Sequence, residues 1–248
     1  MYDTRLSYLI KIDDFSKLLA TEYISGERIT ERILTTIVTL YECAKVERYF
    51  EDAHFETAYH SPITGELEFF IARILFHYST LKNKEWKVYL RRQENRTAPD
   101  IRLSKNEKTF AIIEVKAKAG WIQQFLSPVR FQVDLEKYNS GASIFNPNDL
   151  INTSKNQLHK YSENFGIETD CIFFLLPTLK LVHRKKYSTS LAQYYEYFAS
   201  TSGLPRENFI LLSNNVNLDL SGRDRDFNPT ENFENLISQL DKLEDQLP

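Results

Sequence analysis

The chain has 248 residues and a mass of 29.2 kDa, with 42% hydrophobic residues, 26% charged residues and a formal net charge of -3. This is the composition of a soluble folded chain large enough to bury a full core, and its longest apolar run, Cys171 to Leu176, falls far short of the roughly 20 residues that span a bilayer. Seven glycines with no Gly-x-Gly pair exclude the usual dinucleotide and nucleotide-triphosphate loops, and two cysteines exclude a disulfide framework.

The spacing predicts helices over residues 13–22 and 27–50. In the second, Ile29, Ile33, Leu34, Ile37, Leu40 and Tyr41 recur at helical intervals. Ser61-Pro62-Ile63-Thr64-Gly65 breaks that pattern. A helix over 66–80 follows, with Leu67, Phe70, Ile71, Ile74 and Leu75 on its inner face. Strands are expected at 86–92, 99–104 and 109–118, the last two joined by a turn within Lys105-Asn106-Glu107-Lys108. Residues 120–147 read as irregular with some helix. Pro147 and Asn148 open a helix that Gly166 ends. Residues 171–176 suit a buried strand, Phe209–Leu212 a short one, and 188–200 and 230–246 suit helices.

Charge is unevenly spread. Residues 219–248 hold eight acids and three bases, a net of -5, so the remainder carries +2. Basic residues cluster at Arg91, Arg92 and Arg96, at Lys105 and Lys108, at Lys116 and Lys118, and from Lys180 to Lys186. A locally basic face with an acidic segment placed elsewhere reconciles an acidic chain with a polyanionic partner. Acidic and basic residues among the first 14, with no apolar stretch, give no sign of a signal peptide. With the cysteine usage, that points to the cytoplasm. Cys43 and Cys171 read as core cysteines.

The stretch that carries chemistry is Pro99-Asp100 followed by Glu114-Val115-Lys116. Strand alternation puts Glu114 and Lys116 on one, charged face and Ile113, Val115 and Ala117 on the other, core face. A three-residue loop at Asn106–Lys108 sets Asp100 directly opposite Glu114, with Cβ atoms about 4.5–5.5 Å apart. Two carboxylates that close repel unless a proton or cation lies between them. A hard divalent cation such as Mg²⁺ suits that donor set. The Val115 carbonyl is a further candidate ligand. Lys116 beside it can assist a water or a developing charge. No His-x-His, His-Glu-x-x-His or Gly-x-Ser-x-Gly pattern competes.

On these residues the chain resembles the PD-(D/E)XK nuclease superfamily, over roughly residues 65–176. Pro99-Asp100 matches the family's Pro-Asp, and Glu114-Val115-Lys116 matches its (Asp/Glu)-x-Lys. The resemblance implies an α/β fold with a restriction-endonuclease-like αβββαβ core, a mixed central sheet flanked by helices, N-terminal helices and a C-terminal extension. The divisions expected are an N-terminal helical region at 1–60, the nuclease core at 61–180, and an α/β extension with an acidic tail at 181–248. A further metal-site Glu on the first core helix falls on Glu66 or Glu68, and the apolar pattern after Glu68 favours the latter. The implied catalytic set is Asp100, Glu114, Lys116 and Glu68. Asp100, Glu114, Glu68 and the Val115 carbonyl hold Mg²⁺, with Mn²⁺ as a substitute. Gln157 and Tyr161 match a Gln-x-x-x-Tyr motif that holds substrate phosphate or steadies the catalytic strand.

Arg91, Arg92, Arg96, Arg102 and Lys118 are candidates for substrate positioning. Trp121, Gln123, Gln124 and Arg130 lie in the long connection and are candidates for recognition. The resemblance implies a metal-dependent endonuclease on DNA, double-stranded before single-stranded, with RNA left open. A restriction enzyme acting as a homodimer through the N-terminal helices is the first subtype, and a defence or repair nuclease the second. The rival readings are a non-catalytic nucleic-acid-binding or assembly subunit that keeps the fold, and a structural protein without a metal site.

Overall fold

A computed structural model describes residues 2–44, 63–94, 97–115, 160–177, 204–214 and 226–247. Among the described residues the periodic apolar positions become the buried stripes of helices α1 (Tyr2–Ile24), α2 (Thr30–Cys43), α3 (Thr64–Leu81) and α4 (Asn232–Asp245). In α3, Leu67, Phe70, Ile71, Ile74 and Leu75 are fully buried, as the spacing predicts. Helix α1 buries Ile12, Ser16, Leu19 and Ala20, and the Ser16 hydroxyl reaches the Phe70 carbonyl at 3.3 Å, so α1 and α3 approach closely. Helix α1 starts eleven residues before the expected position 13. Its first turns put Leu6 and Ile10 into solvent, which blurs the apolar period there. None of the described helices is long and apolar enough to cross a membrane.

Among the described residues five strands form one mixed sheet: β1 (Lys87–Leu90), β2 (Ile101–Lys105), β3 (Lys108–Val115), β4 (Ile172–Leu176) and β5 (Phe209–Leu211). They lie in the order β1-β2-β3-β4-β5. The β1–β2 and β2–β3 pairings are antiparallel, and β3–β4 and β4–β5 are parallel. The chain is thus α/β, a mixed five-stranded sheet with flanking helices. Helical residues 160–165 precede β4, and Gly166 ends them in the left-handed region (φ 63°), donating its N–H to the Ser162 carbonyl at 2.9 Å.

The hairpin between β2 and β3 departs from the three-residue loop expected. Asn106 and Glu107 both have positive φ (49° and 63°), and Lys105 pairs with Lys108. This is a two-residue turn whose hand matches the strand twist. A bulge then makes good the missing residue. Ser104 pairs with Thr109 but Leu103 pairs with Ala111, so Phe110 is extra and both Phe110 and Ala111 enter the core. The register beyond the bulge is the one a three-residue loop would have given.

Both faces of the sheet are covered. Ile101, Leu103, Ala111, Ile113, Val115, Phe173, Leu175 and Ile210 join the helices in one hydrophobic core. That core draws on residues from Ile12 to Leu240. On the other face Ile112, Ile172, Phe174 and Leu211 are buried as well. The sequence pointed to a charged face there. Instead Glu114 is 2% exposed, because the helical residues 160–165 lie over it.

The acidic C-terminal segment is knitted into the fold. Glu234 accepts hydrogen bonds from Ile29 N–H, Thr30 N–H and the Thr30 hydroxyl at the start of α2. Glu244, 5% exposed, pairs with Lys84 at 2.8 Å and Lys105 at 2.5 Å. Lys105 is therefore a structural cation. Cys43 is exposed rather than in the core, since α2 turns that side of its last turn outward, and Cys171 is half-buried. Burial and the neighbouring Asp170 push the Cys171 thiol up to about 11.

Candidate active site

Three strand ends build the site. The last antiparallel rungs are Leu90↔Ile101 and Ile101↔Ile113. One step further along the same registers, Arg91 meets Asp100 and Asp100 meets Glu114. Backbone and side-chain bonds confirm that row. Arg91 N–H donates to the Asp100 carbonyl at 3.0 Å. Val115 N–H donates to Asp100 Oδ2 at 2.9 Å, and Asp100 N–H donates to Glu114 Oε1 at 3.3 Å. Pro99, which cannot donate a ladder bond, is buried just before the row.

Tyr161 fastens the centre. Its hydroxyl donates to Glu114 Oε1 at 2.6 Å, and its ring is 2% exposed. This contact joins the helical residues to the strand that carries Glu114. Asn164, one turn on, donates to the Thr97 hydroxyl and ties the helical residues to the approach of β2.

Glu68 lies on α3 and is 1% exposed. Both its oxygens face one guanidinium: Arg91 Nε donates to Oε2 and Arg91 Nη2 to Oε1, the latter at 2.6 Å. Glu68 raises the basicity of Arg91 through those bonds, against the opposing effect of burial, and Asp100 and Glu66 add to it. Glu66 is itself paired with Arg5 at 2.8 Å. The family resemblance favours Glu68 over Glu66 as a metal ligand. Glu68 is the one buried beside the row, with Arg91 as its partner. Arg91 has φ 47°, a left-handed conformation that costs a residue with a Cβ about 1–2 kcal/mol. Strand alternation would send its side chain along the Tyr89 side, and the left-handed backbone turns it to α3 instead.

Arg102, expected to face substrate, is enclosed. It is 6% exposed, its guanidinium sits 4.1 Å from the Tyr89 ring centroid and 5.1 Å from that of Phe165, and it pairs with Glu94 at 2.8 Å. It joins β2 to the helical residues above. Arg92 stacks on Tyr89 at 5.1 Å and remains at the surface. Lys116, Lys118, Trp121, Gln157, Arg96, Gln123, Gln124 and Arg130 lie outside the described residues.

The donor set at the row's centre is two carboxylates and, at the end of β3, the Val115 carbonyl. All are hard oxygen donors of the kind that Mg²⁺ or Mn²⁺ accepts, and the two carboxylates belong to adjacent strands in direct register. These residues fit such an ion. Among the described residues no group of three or more His, Cys, Asp or Glu side chains is gathered around one point.

The sequence reasoning missed the Arg91–Glu68 pairing, which joins residues 23 apart and has no local signal. It also missed a cluster between α1 and α3, where Asp13 meets Arg73 and His77, the latter at 2.7 Å. Arg73 and His77 stand four apart on one helical face, which is the available clue. Burial would raise the Asp13 carboxyl, and the bonds from Arg73 and His77 outweigh it and lower it.

Compared with protein-family models, curated proteins and solved structures, the chain gives no match.

Proposed function

We propose that this chain is a metal-dependent nuclease that hydrolyses DNA phosphodiester bonds, with a restriction-endonuclease-like core of the PD-(D/E)XK kind. The observation that carries the reading is the placement of Asp100 opposite Glu114 at the end of β2 and β3. Two carboxylates in register, with Pro99 before one and Lys116 after the other, are what that chemistry requires. The element order from α3 through β1, β2, β3, helical residues 160–165 and β4 supports it.

Asp100, Glu114 and the Val115 carbonyl would hold Mg²⁺. The ion would supply charge to the phosphate and a more acidic bound water. The chain's own groups do the rest. The backbone N–H groups of Val115 and Asp100 orient the two carboxylates, and Tyr161 fixes Glu114 from above. Lys116 follows directly in sequence and is the candidate to assist the attacking water. Double-stranded DNA is the first substrate class, in a restriction-type or a related defence or repair role. A homodimer through α1 accounts for Leu6, Ile10 and Leu18, which are 58%, 49% and 44% exposed.

The test is cleavage of supercoiled plasmid, phage DNA, single-stranded DNA and RNA with Mg²⁺, Mn²⁺ or EDTA. Metal-dependent cleavage lost in Asp100→Ala and Lys116→Ala supports the reading, and discrete bands make the enzyme sequence-specific. Metal-independent DNA binding without cleavage, equal in wild type and variants, replaces it with the non-catalytic binding subunit.

A further inference from the structure

Glu68 and Arg91 form a directed pair. The Glu68 side chain is 1% exposed, whereas that of Arg91 is 55% exposed. Two parallel N–H groups of one guanidinium engage both oxygens of one carboxylate, the geometry that fixes orientation as well as distance. A carboxylate so buried and so engaged must expel its guanidinium before it takes a cation. It does determine where the guanidinium lies.

The backbone points the same way. Arg91 carries a side chain in the left-handed region, and its N–H is locked to the Asp100 carbonyl. Strain of this kind persists where surrounding structure holds it, and it concentrates at functional sites. The outcome is a permanently charged group at the end of the row Arg91, Asp100, Glu114. Two of its five N–H groups serve Glu68, and the others remain for an incoming oxyanion. Planar guanidinium is well suited to phosphate.

We propose that Arg91 contacts a phosphate of the nucleic-acid strand at the Asp100–Glu114 site, and that Glu68 is the positioning residue for Arg91 rather than a metal ligand. This rests on the nuclease reading above. Arg91 then supplies positive charge beside two carboxylates that would otherwise repel the backbone. Glu68 holds the guanidinium in place before substrate arrives, so its ordering precedes binding.

The experiment uses the full chain and a fluorescent DNA duplex of about 20 base pairs. Anisotropy is read in Ca²⁺, to limit turnover, across a series of salt concentrations, and Mg²⁺ binding is titrated calorimetrically without DNA. One lost phosphate contact lowers the slope of log K against log salt by about 0.9. Arg91→Ala is expected to lose about that slope and to bind about three- to tenfold more weakly. Glu68→Gln is expected to weaken binding similarly, and the double variant to be no weaker than Arg91→Ala. Arg91→Lys is expected to recover the slope but not the full affinity, since Lys lacks the fork. Mg²⁺ affinity should fall in Asp100→Asn and not in Glu68→Gln.

A Glu68→Gln protein that loses Mg²⁺ affinity as Asp100→Asn does, or an Arg91→Ala protein with the wild-type slope, overturns the assignment while metal-dependent cleavage by the wild type stands. If the wild type itself neither cleaves nor binds with salt dependence, the nuclease reading falls first and this one with it. Arg91 is half-exposed, so the slope test does not depend on Glu68→Gln folding.

Discussion

Asp100 and Glu114 are each fastened by the other's strand: Val115 N–H donates to Asp100 Oδ2 at 2.9 Å, and Asp100 N–H donates to Glu114 Oε1 at 3.3 Å. The two carboxylates are thereby held in mutual register by backbone donors, which cannot rotate away. Asp100→Asn and Glu114→Gln keep an acceptor oxygen for these bonds but remove charge. Both variants should therefore fold, with unfolding midpoints close to wild type. A charge contribution of several kcal/mol to the transition state corresponds to a loss of about a hundred- to a thousandfold in kcat. Plasmid-cleavage rates beside thermal melts separate the two effects. Full activity in either variant would remove the site.

Tyr161 supports Glu114 from the helical residues above, through a buried hydroxyl at 2.6 Å. Tyr161→Phe deletes that donor and changes little else. A hydrogen bond to a charged acceptor contributes about 1.5–3 kcal/mol, so the variant should lose stability on that scale in urea unfolding. Cleavage should slow about tenfold, because Glu114 is less firmly placed. DNA affinity should stay near wild type. An equally large loss of affinity would show that Tyr161 touches the strand itself.

The sequence makes α3 legible because its apolar residues keep helical spacing without a break, and it makes the Asp100–Glu114 register legible because strand pairing is periodic. The route to that register was not legible. Asn106-Glu107 contains no glycine, so nothing local announces two left-handed residues, and the Phe110 bulge compensates for the shorter turn. The burial of Glu114 was also hidden, since it depends on residues 160–165 that lie 46 or more positions away in sequence. Arg102 misled for a similar reason. Its enclosure by Tyr89 and Phe165 is tertiary, while the sequence shows only a basic residue beside the motif.

Glu244 carries a pH dependence that the fold itself predicts. Burial would raise its carboxyl, but bonds from Lys105 and Lys84 outweigh that and hold it below the usual range. A carboxyl depressed in the folded state adds stability that is complete above its unfolded value. That stability is lost as pH falls from about 4.3 through the lower folded value. Glu244→Gln takes the charged acceptor from Lys105 and one of two from Lys84, whose other partner is Asp241 at 3.0 Å, and should cost about 1.5–3 kcal/mol at pH 7. The difference from wild type should shrink steadily below about pH 4. Urea titrations of both proteins at neutral and acid pH measure it, and a pH-independent difference would assign the loss to packing.

Glu234 serves two helices at once. It stands in the first turn of α4, where a negative charge is favourable. Its carboxylate also takes the Ile29 and Thr30 N–H groups, at 2.8 and 3.0 Å, and the Thr30 hydroxyl at 2.6 Å. Ile29 is the N-cap of α2 and its own side chain cannot cap, so this borrowed carboxylate takes the place of the usual Ser or Asp. Glu234→Ala should cost about 1–2 kcal/mol, the scale of a lost cap. Glu234→Gln, which keeps acceptor oxygen but not charge, should cost less. The loss should be local before it is global. Amide exchange at Ile29 and Thr30 should quicken in Glu234→Ala relative to that of Ile71 and Ile74 in α3. Uniform acceleration across both helices would mean that Glu234 supports the whole core rather than the start of α2.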